Sequence, residues 1–111
     1  MTGNEYQKLA MRTIPDTFSY SDCINHALHG MVGEIGELHS IYQKMYQGHR
    51  EIGYDHFKKE IGDLLWFVAE YCTGMGWKLD DIMEMNINKL KARYPEGFDT
   101  EHSVNRKKGD I

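Results

Sequence analysis

The sequence predicts an all-α protein, and two observations carry that prediction. Apolar residues recur every three or four positions along three long stretches of the chain, which is the spacing of a buried helical face. No segment shows the alternation of apolar and polar residues that marks a half-buried strand. With 111 residues, 41% of them apolar, the chain is long enough for one domain with one modest core, and we expect a single domain over residues 1–111.

The N-terminal half predicts a short helix and one long helix. The short helix covers residues 4–12, and a capping region rich in Ser, Thr and Asp follows it at residues 15–22. The first long helix begins near Ile24, and a turn over residues 47–53 ends it. Its apolar face consists of Ile24, Leu28, Met31, Ile35, Leu38, Ile41 and Met45.

Two further long helices are predicted in the C-terminal half. The second runs from Phe57 to Met75, where glycines end it. Asp80 and Asp81 suit the first turn of the third, because carboxylates are favoured at the positive end of the helix dipole. Pro95 stops that helix, and the polar residues 99–111 are predicted to form a loose tail.

The second long helix is unusually apolar. Residues 64–69 are apolar in succession, so this helix is hydrophobic nearly all round and should be buried on several sides. A bundle of about four helices cannot easily bury one helix so completely, which indicates a homo-oligomer, either a dimer or a tetramer. The alternative is a central helix covered within a monomer.

Charge and composition exclude some classes of function. The net charge of −4 disfavours nucleic-acid binding by bulk electrostatics. The sequence has no run of 18 apolar residues and no signal peptide, so we expect no membrane partner and a cytoplasmic location. Cys23 and Cys72 lack metal-ligand spacing and are predicted to be free, buried thiols.

The most informative pattern is a repeated pair of acidic residues. Glu34 and Glu37 lie three positions apart in the first long helix, and Glu60 and Asp63 lie three positions apart in the second. Residues at this spacing share a helical face, and each pair borders an apolar run. The short turn between the two helices makes them antiparallel neighbours, so the two pairs can face each other.

Four facing carboxylates would repel one another strongly inside a bundle. A hard divalent cation relieves that repulsion, and Mg²⁺ or Mn²⁺ prefers oxygen ligands. The pattern therefore indicates a Mg²⁺ site, with Mn²⁺ as a substitute. The competing interpretation is that both pairs are ordinary solvated surface acids.

Longer motifs around these acids resemble a known family. GEIGEL, EIGDLLWFV and NINKLKARYPEGF, with YQKLAMRT near the start and SVNR near the end, are similar to the MazG-like nucleoside triphosphate pyrophosphohydrolases of bacteria and phages. The resemblance covers roughly residues 6–106. It implies a four-helix-bundle-like MazG fold. It also implies that Glu34, Glu37, Glu60 and Asp63 bind the metal and form the catalytic group.

The resemblance further implies a reaction. Such enzymes cleave a nucleoside triphosphate between its α and β phosphates, and we favour Glu37 as the residue that also orients or deprotonates the attacking water. Many members carry an additional acid before the first glutamate, but that position is Gly33 here. The auxiliary role of that acid is therefore in doubt for this chain.

Other residues are candidates for the nucleotide. Spacing places Asn86, Lys89 and Arg93 on one stripe of the last long helix, with Asn86 on the inward face between Met83 and Leu90. The basic groups resemble the family's phosphate contacts. Phosphate-binding candidates are Lys44, Asn86, Lys89, Arg93 and Arg106; base-stacking candidates are Trp66 and Phe67, for which core packing is an equally good explanation. His26 and His29 share a face and fit a zinc pair, ordinary polar positions or the lining of a nucleotide pocket.

Three rival interpretations remain at this point. Phosphoribosyl-ATP pyrophosphohydrolase uses the same acidic pattern, although the RYPEGF block favours the MazG-like branch. A di-iron carboxylate bundle is disfavoured, because neither acidic pair ends in histidine. The third is a non-catalytic helical interaction module, in which the acids form a solvated face.

Overall fold

The computed structural model describes residues 1–50 and 53–111 and consists of α-helices joined by short connections. The helices are α1 (Gly3–Ala10), α2 (Tyr20–Tyr46), α3 (Tyr54–Met75), α4 (Leu79–Arg93) and α5 (Thr100–Val104). One turn of 3₁₀ helix, Met11–Thr13, follows α1. No strand occurs in the described ranges, so the predicted all-α class is confirmed. Part of the predicted turn after α2, residues 51–52, lies outside the described residues.

The first long helix begins four residues earlier than its apolar pattern predicts, because of a capping box. The Ser19 hydroxyl accepts a hydrogen bond from the Asp22 backbone N–H at 3.1 Å. The Asp22 carboxylate accepts one from the Ser19 N–H at 2.9 Å. These reciprocal bonds satisfy backbone donors that a helix start leaves free, so the cap fixes where α2 begins.

The antiparallel pair α2 and α3 forms the centre of the fold, and two glycines let these helices approach closely. A Cβ added at Gly30 would overlap the Phe67 ring. A Cβ added at Gly74 would lie 2.9 Å from the Tyr20 carbonyl oxygen. Gly76 then ends α3 in the left-handed conformation, with φ +74°, that glycine adopts without strain.

The short helix α1 holds α4 by capping it. Lys78 offers no side-chain cap, so side chains of α1 accept from the first N–H groups of α4. The Asn4 Oδ1 accepts from the Asp80 N–H at 3.0 Å, and the Gln7 Oε1 accepts from the Leu79 N–H at 2.9 Å. The position of α4 therefore depends on α1 rather than on the hairpin.

Large apolar side chains stay exposed in the single chain. The apolar α3 is not covered on every side, because Ile61 is 53% and Leu65 44% exposed. On α4 only Leu79 is buried. The radius of gyration is 17.5 Å, compared with about 13 Å for a compact chain of this length. Within the described residues, none of the helices combines the length and apolar character needed to cross a membrane.

The C-terminal tail differs from the prediction. Residues 99–111 were expected to be loose, but they contain α5, which Asp99 caps by accepting from the His102 N–H at 2.7 Å. Asp110 also binds Arg93 of α4 through two hydrogen bonds of 2.7 and 2.8 Å. A polar composition did not reveal this ion pair, because its two partners lie 17 residues apart.

The glycines of α2 provide a matched stability test. Gly30→Ala should destabilise the fold by about 1–3 kcal/mol, because the new methyl group overlaps the Phe67 ring. Gly33→Ala meets no atom within 4 Å and should stabilise it by about 0.5–1 kcal/mol through helix propensity. Urea unfolding of the metal-free protein measures both. Equal effects of the same sign would contradict the packing of α2 against α3.

Candidate metal centre

Three of the four predicted acids meet between α2 and α3. Glu34 and Glu37 project from α2 towards Glu60 of α3, and one carboxylate oxygen of each lies within 4.8 Å of the others. The i, i+3 spacing puts the first two on one face, and the antiparallel hairpin brings the third to the same level. The sequence-predicted acidic cluster is therefore present for these three residues.

Two oxygens of this cluster are buried without a hydrogen-bond partner among the described residues. They are Glu34 Oε2 and Glu60 Oε2. A buried carboxylate oxygen that makes no hydrogen bond is costly, and native structures rarely leave one without a reason. A proton or a bound cation would satisfy these oxygens and reduce the repulsion between the carboxylates.

The carboxylates shift one another's pKa values. A proton shared with Glu60, together with burial and the charge of Glu37, raises the pKa of Glu34 from 4.5 to about 7. Glu60 likewise raises the pKa of Glu37, through the same kind of hydrogen bond and through its charge. The pKa of Glu60 is lowered, since it accepts those bonds. Near neutral pH the metal-free cluster therefore retains a proton.

Asp63, the fourth predicted ligand, lies at the edge of this cluster. Its side chain is exposed and is not part of the group within 4.8 Å. Its charge nevertheless contributes to the raised pKa of Glu34 and of Glu37, so it lies within electrostatic reach of both. It also raises the pKa of Tyr6 on α1, after the effect of burial.

His56 belongs to the site and was not predicted. Its Nε2 lies 3.0 Å from Glu60 Oε1 and lowers the pKa of that carboxyl. The signal was available, because His56 precedes Glu60 by four residues and so lies on the same helical face. This contact orients the one carboxylate of the cluster that comes from α3.

The donor set fits a divalent cation. All three residues offer carboxylate oxygens, which hard cations such as Mg²⁺ and Mn²⁺ prefer. The two orphaned oxygens are the atoms that a cation would satisfy. The three residues of this group offer carboxylates alone, whereas zinc centres typically use histidine and cysteine ligands.

The predicted base-stacking residues already make structural contacts. The Trp66 indole N–H donates to the Ala10 carbonyl at 3.1 Å and to the Thr13 hydroxyl at 2.9 Å, which anchors α1 on α3. Phe67 packs edge-on against Trp66 with 5.2 Å between ring centroids. Both rings are half-buried, so the packing role is present whatever else they do.

The predicted phosphate residues are not gathered at the cluster. Lys44 is exposed near the end of α2, two turns beyond Glu37. Asn86 was predicted to face inward, but it is exposed, because α4 packs mainly on α1 and leaves its own apolar stripe uncovered. The inward assignment is therefore wrong for the single chain.

The remaining basic residues surround Asp110 instead. Arg93 donates two hydrogen bonds to the Asp110 carboxylate. These bonds, together with the charges of Arg106 and Lys89, hold the pKa of Asp110 below its ordinary value. A pocket of about 230 Å³ opens beside this pair. Its lining includes Lys89, Arg93, His102, Lys107 and Asp110. The site is thus a basic pocket with one carboxylate inside it.

Comparisons with known proteins bear on this geometry. The family model described as the MazG nucleotide pyrophosphohydrolase domain matches residues 24–98, which include every member of the acidic cluster. The chain is also similar to a curated protein described as Gene 37 protein, from Mycobacterium phage L5. The two are 27% identical over 78 residues, which cover 67% of this chain and 68% of the phage protein. No solved structure matches.

Cation binding should depend on pH around the raised pKa of Glu34. Because that pKa is about 7, the residue must lose a proton before it binds a cation, and affinity should fall as pH drops from 8 to 6. The raised pKa of Glu34 also means that the contribution of this residue to the stability of the metal-free fold is lost as pH rises from about 4.5 to 7. Calorimetric Mn²⁺ titrations in buffers of different ionisation enthalpy measure the released proton.

Glu34→Gln is the control, since it removes the titrating group. This variant should bind Mn²⁺ more weakly and with less dependence on pH. A wild-type affinity that is constant between pH 6 and 8 would show that the carboxylates do not share a proton.

Proposed function

Because the chain belongs to the MazG nucleotide pyrophosphohydrolase family, we propose that it hydrolyses a nucleoside or deoxynucleoside triphosphate between the α and β phosphates. The products are a nucleoside monophosphate and pyrophosphate. The observation that carries the proposal is the group of three carboxylates with two orphaned, buried oxygens. The family match favours this reaction over phosphoribosyl-ATP hydrolysis and over a non-catalytic module.

The acids would hold Mg²⁺, with Mn²⁺ as a substitute. Glu34 and Glu60 are the strongest ligand candidates, since each has a buried oxygen without a partner. Glu37 completes the group, and Asp63, whose charge raises the pKa of Glu37, would be the fourth ligand. When bound, the cation neutralises phosphate charge and lowers the pKa of water.

Glu37 is the best candidate for positioning and deprotonating the attacking water. It is the exposed member of the cluster, so solvent can reach its carboxylate. The neighbouring Glu60 raises its pKa, which makes it a better proton acceptor near neutral pH. Water attacks a phosphorus atom of the α–β anhydride, and the bond from that phosphorus to the bridging oxygen breaks. The proton passes to Glu37, and pyrophosphate leaves.

The basic residues of the C-terminal half would bind the phosphates. Lys89, Arg93 and Arg106 already surround one carboxylate, and a phosphate group presents a similar arrangement of anionic oxygens. Lys44 and Asn86 are exposed and free to contact the substrate from α2 and α4. In this arrangement Asp110 occupies the Arg93 fork until a phosphate replaces it.

We further propose that the active form is a homo-oligomer. The apolar stripe of α4 is exposed, with Met83 at 51%, Ile87 at 49% and Leu90 at 38%. Exposed apolar faces of this extent are typical of association surfaces. A second copy would cover this stripe, enclose Asn86 within it, and bring the basic residues of α4 towards an acidic cluster.

The acidic residues are tested by charge-removing substitutions. Glu37→Gln and Asp63→Asn should each lower kcat by at least about 100-fold, because catalysis loses a base or a ligand, while far-UV circular dichroism stays unchanged. Asp55→Asn, at an exposed position on the same helix as Asp63, is the control and should retain full activity. Near-normal turnover of either site variant at saturating Mg²⁺ would remove that residue from the site.

Comparing variants of Arg93 and Asp110 shows whether Arg93 binds phosphate or only stabilises the fold. Both Arg93→Ala and Asp110→Ala destroy the same ion pair. If Arg93 binds phosphate, its loss should raise KM about tenfold or more, whereas loss of Asp110 should leave KM unchanged or lower it. Lys89→Ala should also raise KM. Equal effects of the Arg93 and Asp110 variants would make the pair purely structural.

Oligomer formation is measured by light scattering on a sizing column. We expect a mass of at least twice the 13.0 kDa of one chain at micromolar concentration. Ile87→Glu should reduce that mass, because it places a charge in the stripe of α4, whereas Lys91→Glu on the same helix is the control. A wild-type protein that stays monomeric would contradict the assembly.

A further inference from the structure

One buried acid has no part in the reaction described above. Glu70 of α3 is fully buried, with 0% of its surface exposed. Both of its oxygens accept from His26 Nδ1 on α2, at 2.8 and 2.9 Å. An acid buried this deeply is expensive unless its partner is well placed, so this pair fixes the orientation of the imidazole.

The same imidazole is held between aromatic rings but remains reachable. Ring centroids lie 5.2 Å away for Phe18, 5.6 Å for Phe67 and 6.3 Å for Trp66, all in edge-on arrangements. The His26 side chain is nevertheless 47% exposed. With Nδ1 bound to Glu70, Nε2 is the nitrogen left for an external partner.

The helical register connects this pair to the acidic cluster. Three successive contacts join α2 to α3. Glu34 lies beside Glu60, Gly30 packs against Phe67, and His26 binds Glu70. Residues 26, 30 and 34 are each one turn apart and share a face. Eight residues at 1.5 Å each separate the imidazole from the cluster by about 12 Å along the helix.

That separation is comparable with the length of a nucleotide from its phosphates to its base. A ligand whose phosphates lie at the acidic cluster and which extends along the hairpin would place its base beside His26. The aromatic rings there offer stacking surface, and the fixed nitrogen offers one directional hydrogen bond. A carboxylate cluster that would hold a cation at one end, and aromatic rings with a hydrogen-bonding imidazole at the other, match the phosphate and base ends of a nucleotide.

We propose that His26 is the base-reading residue of this enzyme and that Glu70 is its positioning residue. The inference rests on the proposed function and adds the group that discriminates among bases. His26 Nε2 either accepts from an amino group of the base or donates to a carbonyl, according to its protonation state. In both cases only a base with the matching group forms this hydrogen bond with His26 Nε2.

The first experiment measures kcat/KM for the four NTPs and four dNTPs with wild type and variants. His26→Ala should reduce the ratio between the best and the poorest base by about tenfold or more, while the poorest nucleotide changes little. Glu70→Ala should reduce this ratio about as much as His26→Ala does. Glu70→Gln should reduce it less, because an amide oxygen still accepts a hydrogen bond from His26 Nδ1. His39→Ala, an exposed histidine on the same helix, is the control and should keep the wild-type ratios.

A second readout does not depend on turnover. Millimolar nucleoside monophosphate should shift the ring C–H resonance of His26 in wild type, with the preferred base giving the larger shift. Glu70→Gln should weaken that response, and the melting temperature of each variant reports folding separately. A structural role alone would lower the melting temperature but leave the base ratios unchanged.

The outcomes distinguish a failure of base reading by His26 from a failure of the proposed hydrolysis. If wild type cleaves nucleotides but accepts all bases within about threefold, or if His26→Ala keeps the wild-type ratios, base reading by His26 is wrong and the proposed function stands. If wild type cleaves none of the nucleotides, the proposed function fails. The resonance of His26 then decides base binding alone, and the absence of a base-dependent shift overturns it.

Discussion

Three carboxylates that cannot all be ionised without a counter-charge lie at the centre of this structure. The contact between α2 and α3 forces Glu34, Glu37 and Glu60 within 4.8 Å of one another, and two of their oxygens are buried without a partner. The metal-free chain limits the repulsion by retaining a proton and by placing His56 against Glu60. A divalent cation would reduce the same repulsion further, which is why we propose that this cluster binds one.

The register that creates this cluster also determines what lies beside it. One turn towards the N-terminus of α2, Gly30 gives Phe67 room against the backbone, and one turn further His26 meets the buried Glu70. The hairpin thus presents acids and aromatic groups along one line. The last long helix is positioned differently, since α1 caps its start and its apolar stripe stays exposed. We propose that a second copy covers this stripe, which would link the proposed chemistry to assembly.

The sequence predicted those features that arise within one helix. Periodicity located the long helices, and the paired i, i+3 acids predicted the cluster at Glu34, Glu37 and Glu60. The predicted inward position of Asn86 is wrong, and the residue is exposed. A helical pattern shows which residues share a face, but it does not show what covers that face. The pairs His26–Glu70 and Arg93–Asp110 were also missed, since each joins residues on separate elements. Only the register of α2 against α3 and the path of the tail bring these partners together.

The most direct test of the account is product analysis with the purified protein, Mg²⁺ and each NTP and dNTP in turn, read by anion-exchange chromatography. The account predicts a nucleoside monophosphate and pyrophosphate in equal amounts from at least one nucleotide, and none when the cation is removed by chelation. A nucleoside diphosphate with phosphate would place the cleavage at a different bond. No turnover with either Mg²⁺ or Mn²⁺ would contradict the assignment of the acidic cluster as a catalytic metal centre.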